Sequence, residues 1–283
     1  MITKFGFKSN MNKVHFISGL PRSGSTLLAG ILRQNPNFYA AISSPVASLV
    51  NGCLEQIGAG HEFSTFFNEQ KRKDICHSLF NAFYKDKSEF PVIFDTNRIW
   101  AARLHQLVDL YDDFKIICCV RNPAWVMDSF ETIYRKNPFD YSRMYSPATR
   151  QTVYSRCESL ISSAGTFGCG WTALKEAYYG EYSDRLLLID YDLLTQRPKK
   201  TIELLYDFID EPLFEHDFDN VDYEENEFDN KLGVKGLHTV RKKVEFKARR
   251  SILPPDLFKK YNEMSFWHDN AGTAASIIAP KNN

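Results

Sequence analysis

The segment Gly19-Leu20-Pro21-Arg22-Ser23-Gly24-Ser25-Thr26 constrains the fold of this 283-residue chain more than any other. The apolar run Val14 to Ser18 precedes it and reads as a short buried strand. Thr26 to Arg33 follows with apolar residues at helical spacing and stops before Asn35-Pro36. Strand, glycine-bearing loop and helix form the setting in which backbone N–H groups surround an anion and a helix N-terminus adds its dipole. The loop has the length of a Walker A loop, but Ser25 stands where that loop carries its lysine. A cation lies three residues earlier, at Arg22. The expected anion contacts are Arg22 and the backbone of residues 23 to 27, which includes Ser23, Gly24, Ser25 and Thr26. Without a lysine to reach the outer phosphates of a nucleoside triphosphate, the loop fits a phosphate but not ATP hydrolysis.

Strand-like runs occur at 14–18, 38–42, 92–94, 115–120 and 186–190. Helical patterns separate them at 26–34, 46–57, 64–85, 99–111, 123–136, within 147–179, and at 198–210. This alternation predicts an α/β fold, a single-domain, P-loop-type parallel sheet with helices on both faces. With no repeat and no low-complexity linker, residues 1–270 are expected to form one domain. Residues 271–283, small and polar, are expected to form a loose tail.

Lysine plus arginine number 35 and aspartate plus glutamate 35, so net charge favours neither nucleic acid nor an anionic membrane. No apolar stretch approaches the length of a membrane span, and residues 1–8 lack the apolar core of a secretory signal. Six cysteines include no CxxC pair, and Cys118 and Cys119 lie within the apolar run Ile116 to Val120. Reduced core thiols and a cytoplasmic location are the expectation. Residues 215–229 carry eight acidic side chains and residues 231–250 eight basic ones, so mutual pairing is as good a reading as ligand binding.

A second candidate anion site lies further along. Lys115 to Val120 reads as a buried strand that ends in Arg121, and Pro123 opens a helix that carries Ser129. Open α/β sheets bind ligands at the carboxyl ends of their strands, where a guanidinium and a hydroxyl can hold a phosphate. The two sites together resemble the sulfotransferase family. Its 5′-phosphosulfate loop, P-[KR]-[ST]-G-[ST]-[ST], matches Pro21 to Thr26. Its 3′-phosphate motif, an arginine at a strand end and a serine eight residues on, matches Arg121 and Ser129. A weaker match to its Y-x-D-L segment is Ile189-Asp190-Tyr191-Asp192-Leu193-Leu194, with Pro198 close behind. The resemblance spans about residues 14 to 210 and is strongest for the Pro-Arg-Ser-Gly loop of tyrosylprotein and bacterial sulfotransferases. Glu215 to Asn220 and Leu237 to Arg241 also look similar to bacterial members, without implying a mechanism.

The resemblance implies the donor 3′-phosphoadenosine 5′-phosphosulfate, the product 3′,5′-ADP, and a small-molecule or peptide acceptor presenting a hydroxyl or amine. It implies no metal, because the sulfuryl group carries less charge than a phosphoryl group and needs no magnesium clamp. In-line transfer through a loose transition state makes positioning and charge stabilisation dominant. Arg22 is expected to stabilise charge on the bridging oxygen. Ser25 and Thr26 are expected to donate to the 5′-phosphate. Arg241, with Lys242 and Lys243, and the pair Lys235-Gly236 are candidates for closing over the 3′-phosphate. The acceptor base is open. The glutamate of tyrosylprotein sulfotransferases falls on Ala40-Ala41-Ile42-Ser43-Ser44, which holds no carboxylate, and the histidine of cytosolic small-molecule sulfotransferases falls on Asp95 to Trp100, which holds no histidine. Asp95 stands where heparan-type enzymes place a glutamate, so Asp95 is expected as base, with capping of a helix near Arg98 as the competing role. His61, Glu62 and Glu55 are lesser candidates. A P-loop kinase or nucleoside triphosphatase with a degenerate loop, and a non-catalytic nucleotide-binding protein of the same fold, are the alternatives.

Overall fold

A computed structural model describes residues 12–136, 139, 144–223, 229–231, 238 and 240–280. Six strands form one parallel sheet: β1 (Lys13–Gly19), β2 (Phe38–Ala40), β3 (Val92–Thr96), β4 (Ile116–Val120), β5 (Leu186–Asp190) and β6 (Ser276–Ile278). Their spatial order is β2-β3-β1-β4-β5-β6. The α/β class expected from the strand–helix alternation is the class observed.

Both faces of the sheet are covered, so its strands are apolar at successive positions and not only at alternate ones. Phe16, Cys118 and Leu188 turn to one face. Ile17, Cys119 and Ile189 turn to the other. The first face packs helices α2 (Val46–Ile57), α3 (Glu69–Phe83), α4 (Leu104–Leu110), α5 (Pro123–Lys136), α6 (Val153–Ile161), α7 (Gly168–Tyr179) and, late in the chain, a helix at Pro255–Asn262. The second packs α1 (Ser25–Leu32), α8 (Tyr191–Gln196) and α9 (Pro198–Ile209), with residues 218–244 contributing Val221, Tyr223 and Val244. The helix at Pro255–Asn262 is termed α10. Cys118 and Cys119 are both fully buried, one on each face, as alternation requires.

Three expectations change. The single pattern at 64–85 is a 3₁₀ turn, Glu62–Phe66, followed by α3, because the Asn68 side chain caps α3 by accepting from Lys71 N at 2.8 Å. The pattern within 147–179 is two helices, and α6 begins where Thr152 and Ser155 form a reciprocal cap. The tail expected from residue 271 instead supplies β6, which pairs in parallel with β5, Leu188 opposite Ile277. Its three short residues, Ser276, Ile277 and Ile278, extend the sheet edge, a role their periodicity is too brief to announce.

Candidate functional site

The loop after β1 sits where neighbouring strands diverge, since β1 lies between β3 and β4. Such a switch point leaves a crevice at the carboxyl edge. Gly19 is required there: its φ is +110°, and a Cβ would lie 2.2 Å from the Cys119 carbonyl oxygen. Gly24, at φ +96°, ends the loop beneath Tyr191, whose ring a Cβ would meet at 2.7 Å. Arg22 is one of two described non-glycine residues at positive φ, at 59°. For an L-residue that conformation costs about 1–2 kcal/mol, which the rest of the loop must hold. Ser23 helps to hold it, since its buried hydroxyl donates to Cys119 O at 2.8 Å and also contacts Leu20 O.

The expected role of Ser23 is thereby narrowed. Its side chain is part of the loop's own frame, and only its backbone N–H faces the question of an anion. Ser25 and Thr26 are half-buried in the first turn of α1, and their hydroxyls have no protein partner among the described residues. Gly24 provides α1 with no side-chain cap, so the first-turn N–H groups are left for another acceptor.

Arg121 follows β4 directly, and α5 starts two residues later at Pro123, with the Asn122 side chain accepting from Ala124 N at 3.0 Å. Ser129 lies in the second turn. The Arg22 Nε donates to Ser129 Oγ at 3.2 Å, and Arg121 Nη1 reaches the Arg22 carbonyl at 3.5 Å. The Arg121 guanidinium stacks on Tyr191, 4.3 Å from the ring centre, and its buried Nε has no hydrogen-bond partner among the described residues. Burial, then the charge of Arg121, loosens the hold of Arg22 on its proton, while Tyr191 and Asp229 act the other way. Burial does the same to Arg121, opposed by Tyr191 and Asp192. Two guanidiniums drawn out of water, that of Arg22 bonded to the Ser129 hydroxyl and that of Arg121 to the Arg22 carbonyl, form a place that an anion would stabilise.

A third cation, missed in the sequence, joins them. Arg249 forms an ion pair with fully buried Asp128, next to Ser129, and lies 5.0 Å over the Trp125 ring. Its charge is felt at Arg121. Asp128 is further fixed by Ser251 Oγ at 2.9 Å and Ile252 N at 2.7 Å. Arg241, expected in this role, is exposed, and the two residues after it are paired: Val221 N donates to Lys242 O at 2.7 Å, and Lys243 pairs with Asp219 at 2.8 Å. That last pair joins the acidic and basic blocks, as their adjacency suggested. Lys235 and Gly236 lie outside the described residues.

Asp95 also departs from expectation. β3 continues to Thr96, so Asp95 is an interior strand residue, aligned with Phe16 and turned to the same buried face. It is 0% exposed and accepts from Ser44 Oγ and Tyr84 OH, each at 2.6 Å, and from Trp100 Nε1 at 2.7 Å. Burial raises its pKa and these three donors oppose the rise. The carboxylate is sealed from the crevice and pins the loop after β2 to β3. Nor does it cap the 3₁₀ helix Arg98–Arg103: Asn97 does, accepting from Ile99 N at 3.2 Å. Of the lesser candidates, His61 caps its own 3₁₀ turn at 3.3 Å from Phe63 N, and Glu55 and Glu62 are exposed. Arg98 has an exposed side chain, and its carbonyl accepts from Ser18 Oγ at 2.9 Å.

Among the described residues no group of three histidine, cysteine or acidic side chains is placed to hold a metal ion, and no described helix is long and apolar enough to cross a membrane. No curated protein matches the chain. Among solved structures, the sulfotransferase domain from the curacin biosynthetic pathway is 17% identical with a TM-score of 0.48, covering 73% of this chain and 76% of its own. The sulfotransferase domain of the Synechococcus PCC 7002 olefin synthase is 17% identical with a TM-score of 0.43, covering 93% and 91%. Sulfotransferase STF9 from Mycobacterium avium is 13% identical with a TM-score of 0.39, covering 72% and 65%. The profile described as the sulfotransferase family matches residues 15–216, a span that contains the Arg22 loop, Arg121 and Ser129, and the chain belongs to that family.

Proposed function

We propose that this protein transfers a sulfuryl group from 3′-phosphoadenosine 5′-phosphosulfate to a hydroxyl or amine acceptor and releases 3′,5′-ADP. The observation that carries the reading is the chain of contacts that joins Arg121 to the Arg22 carbonyl and the Arg22 guanidinium to Ser129. The two cations disfavour each other's charge, and a doubly phosphorylated nucleotide would relieve both. The loop N–H groups, with the hydroxyls of Ser25 and Thr26, take the 5′-phosphate. Arg121, Ser129 and Arg249 take the 3′-phosphate, and Tyr191 supports Arg121 from below. Arg22 stands between the two sites, where negative charge grows on the bridging oxygen as the sulfur–oxygen bond lengthens. Ser25 in the place of a Walker lysine disfavours triphosphate chemistry.

Calorimetry tests the reading. 3′,5′-ADP should bind without magnesium, and 5′-AMP should bind about tenfold to hundredfold more weakly for want of the charge-assisted contacts to its second phosphate. Equal affinities, or a requirement for ATP with magnesium, would reject it. Transfer from radiolabelled donor to a panel of alcohols, phenols, sugars, lipids and peptides then identifies the acceptor.

A further inference from the structure

With Asp95 sealed, the acceptor proton has no assigned destination. Among the described residues, a carboxylate–imidazole pair with a buried carboxylate stands outside both phosphate-contact sets. Asp229 is 3% exposed, its Oδ1 is 2.5 Å from His238 Nδ1, and its Oδ2 accepts from His238 N at 2.9 Å. A carboxylate only accepts, so Nδ1 carries the ring proton and Nε2 is the basic nitrogen. Two bonds from one buried side chain fix both the ring and the backbone of His238. An imidazole so held is oriented for proton transfer.

The position of the pair points to the crevice. The chain on either side of it is seated on α1, the helix that the Arg22 loop begins. Val221 and Tyr223 crowd Gly30, where a Cβ would lie 3.0 Å from Val221 Cγ1. Ile42 N donates to Tyr223 OH at 2.7 Å, and Val244 N donates to Phe218 O at 2.8 Å. Val240 packs into the same apolar cluster as α1. The Asp229 carboxylate comes close enough to Arg22 for its charge to hold the arginine's proton more firmly. The buried carboxylate that orients the imidazole is thus within electrostatic reach of the cation assigned to the leaving oxygen.

We infer that His238, oriented by Asp229, is the catalytic base that takes the acceptor proton, an assignment that rests on the sulfuryl-transfer reading above. In the step, His238 Nε2 accepts the proton of the acceptor hydroxyl as that oxygen bonds to sulfur. The bond from sulfur to the 5′-phosphate oxygen breaks, and its electron pair stays on that oxygen beside Arg22. Imidazolium then returns the proton to solvent.

The test uses the full chain and radiolabelled donor, with 1-hexanol and 4-nitrophenol as acceptor probes and donor hydrolysis by water as the fallback reaction. His238→Gln should lower kcat with 1-hexanol, or with water, by about 10²–10⁴-fold. The loss should be smaller with 4-nitrophenol, which ionises by itself. Affinity for 3′,5′-ADP should stay within about twofold. Added imidazole should restore part of the turnover of His238→Ala. Unchanged kcat would overturn the assignment. So would an equal loss on every acceptor with weakened 3′,5′-ADP binding and no imidazole rescue, the signature of a latch that merely holds residues 240–244. If His238→Gln melts below the assay temperature, Asp229→Asn decides: it should lower kcat in the same acceptor-dependent way, and normal turnover in it overturns the assignment. Wild-type protein that transfers no sulfate, even to water, overturns the parent reading and the base together. A competent wild type with normal variants overturns the base alone.

Discussion

The Nε of Arg22 donates to the Oγ of Ser129 at 3.2 Å, and this bond closes a separation of 107 residues. It puts a loop cation and a helix hydroxyl from different strand–helix units into one site. Arg22 can hold that position because Gly19 and Gly24 take the conformations that let the loop turn tightly over Cys119 and under Tyr191.

Arg22 and Arg121 should separate kinetically. Arg22→Ala should reduce kcat by about 10²–10³-fold, because the charge it meets grows only in the transition state. Arg121→Ala should instead raise the donor KM about tenfold to hundredfold, with a smaller effect on kcat. Steady-state kinetics with labelled donor reads both, and a pure KM effect in Arg22→Ala removes its assigned role.

Arg249 and Arg241 should differ in donor affinity. Arg249→Ala should weaken 3′,5′-ADP binding by about tenfold, since it takes one charge from beside Arg121 and Ser129 and leaves Asp128 buried without its ion pair. Arg241→Ala should leave binding unchanged. Calorimetry on the two variants checks the pair, and the reverse order would restore Arg241 as the residue near the donor.

Asp95→Asn should act on stability. An amide in place of the carboxylate turns an N–H₂ group toward a cluster of three donors, so one of Ser44, Tyr84 or Trp100 loses its acceptor. The expected cost is about 1–3 kcal/mol in chemical denaturation. Loss of turnover with a wild-type unfolding midpoint would return Asp95 to the list of bases.

Two buried histidines set an acid limit on stability. Burial, with Lys13 and Lys115 nearby, pulls His15 from 6.5 to about 3, and burial pulls His216 from 6.5 to about 4. Below pH 6.5 the unfolded chain binds protons that the folded chain refuses. Each group therefore removes about 1.4 kcal/mol of stability per pH unit as pH falls. Asp190, raised by burial to about 6, has the opposite sign and offsets part of this loss between about pH 6 and 4. Urea midpoints should be flat from pH 8 to 6.5 on account of these groups and fall below it. His216→Gln should flatten the fall, and an unchanged slope would show that His216 does not contribute.

Local sequence alone determined the strand–loop–helix at residues 14–33, the buried strand ending at Arg121 and the class of the fold, because each depends on short-range periodicity and on glycine and proline chemistry. Only tertiary structure decided the rest. β3 runs two residues beyond Phe94, and that extension turns Asp95 away from the crevice into a cage of Ser44, Tyr84 and Trp100. β6 is too short to carry a pattern and exists through its pairing with β5. Arg241 and Arg249 look alike in a basic run. Asp128, buried on α5 and 121 residues before Arg249, draws the second to the site and leaves the first on the surface. Asp229 and His238 find each other by side-chain contact across nine residues. Backbone periodicity is written in neighbouring residues, whereas the side-chain partners of a buried charge are fixed only when distant segments pack and water is excluded.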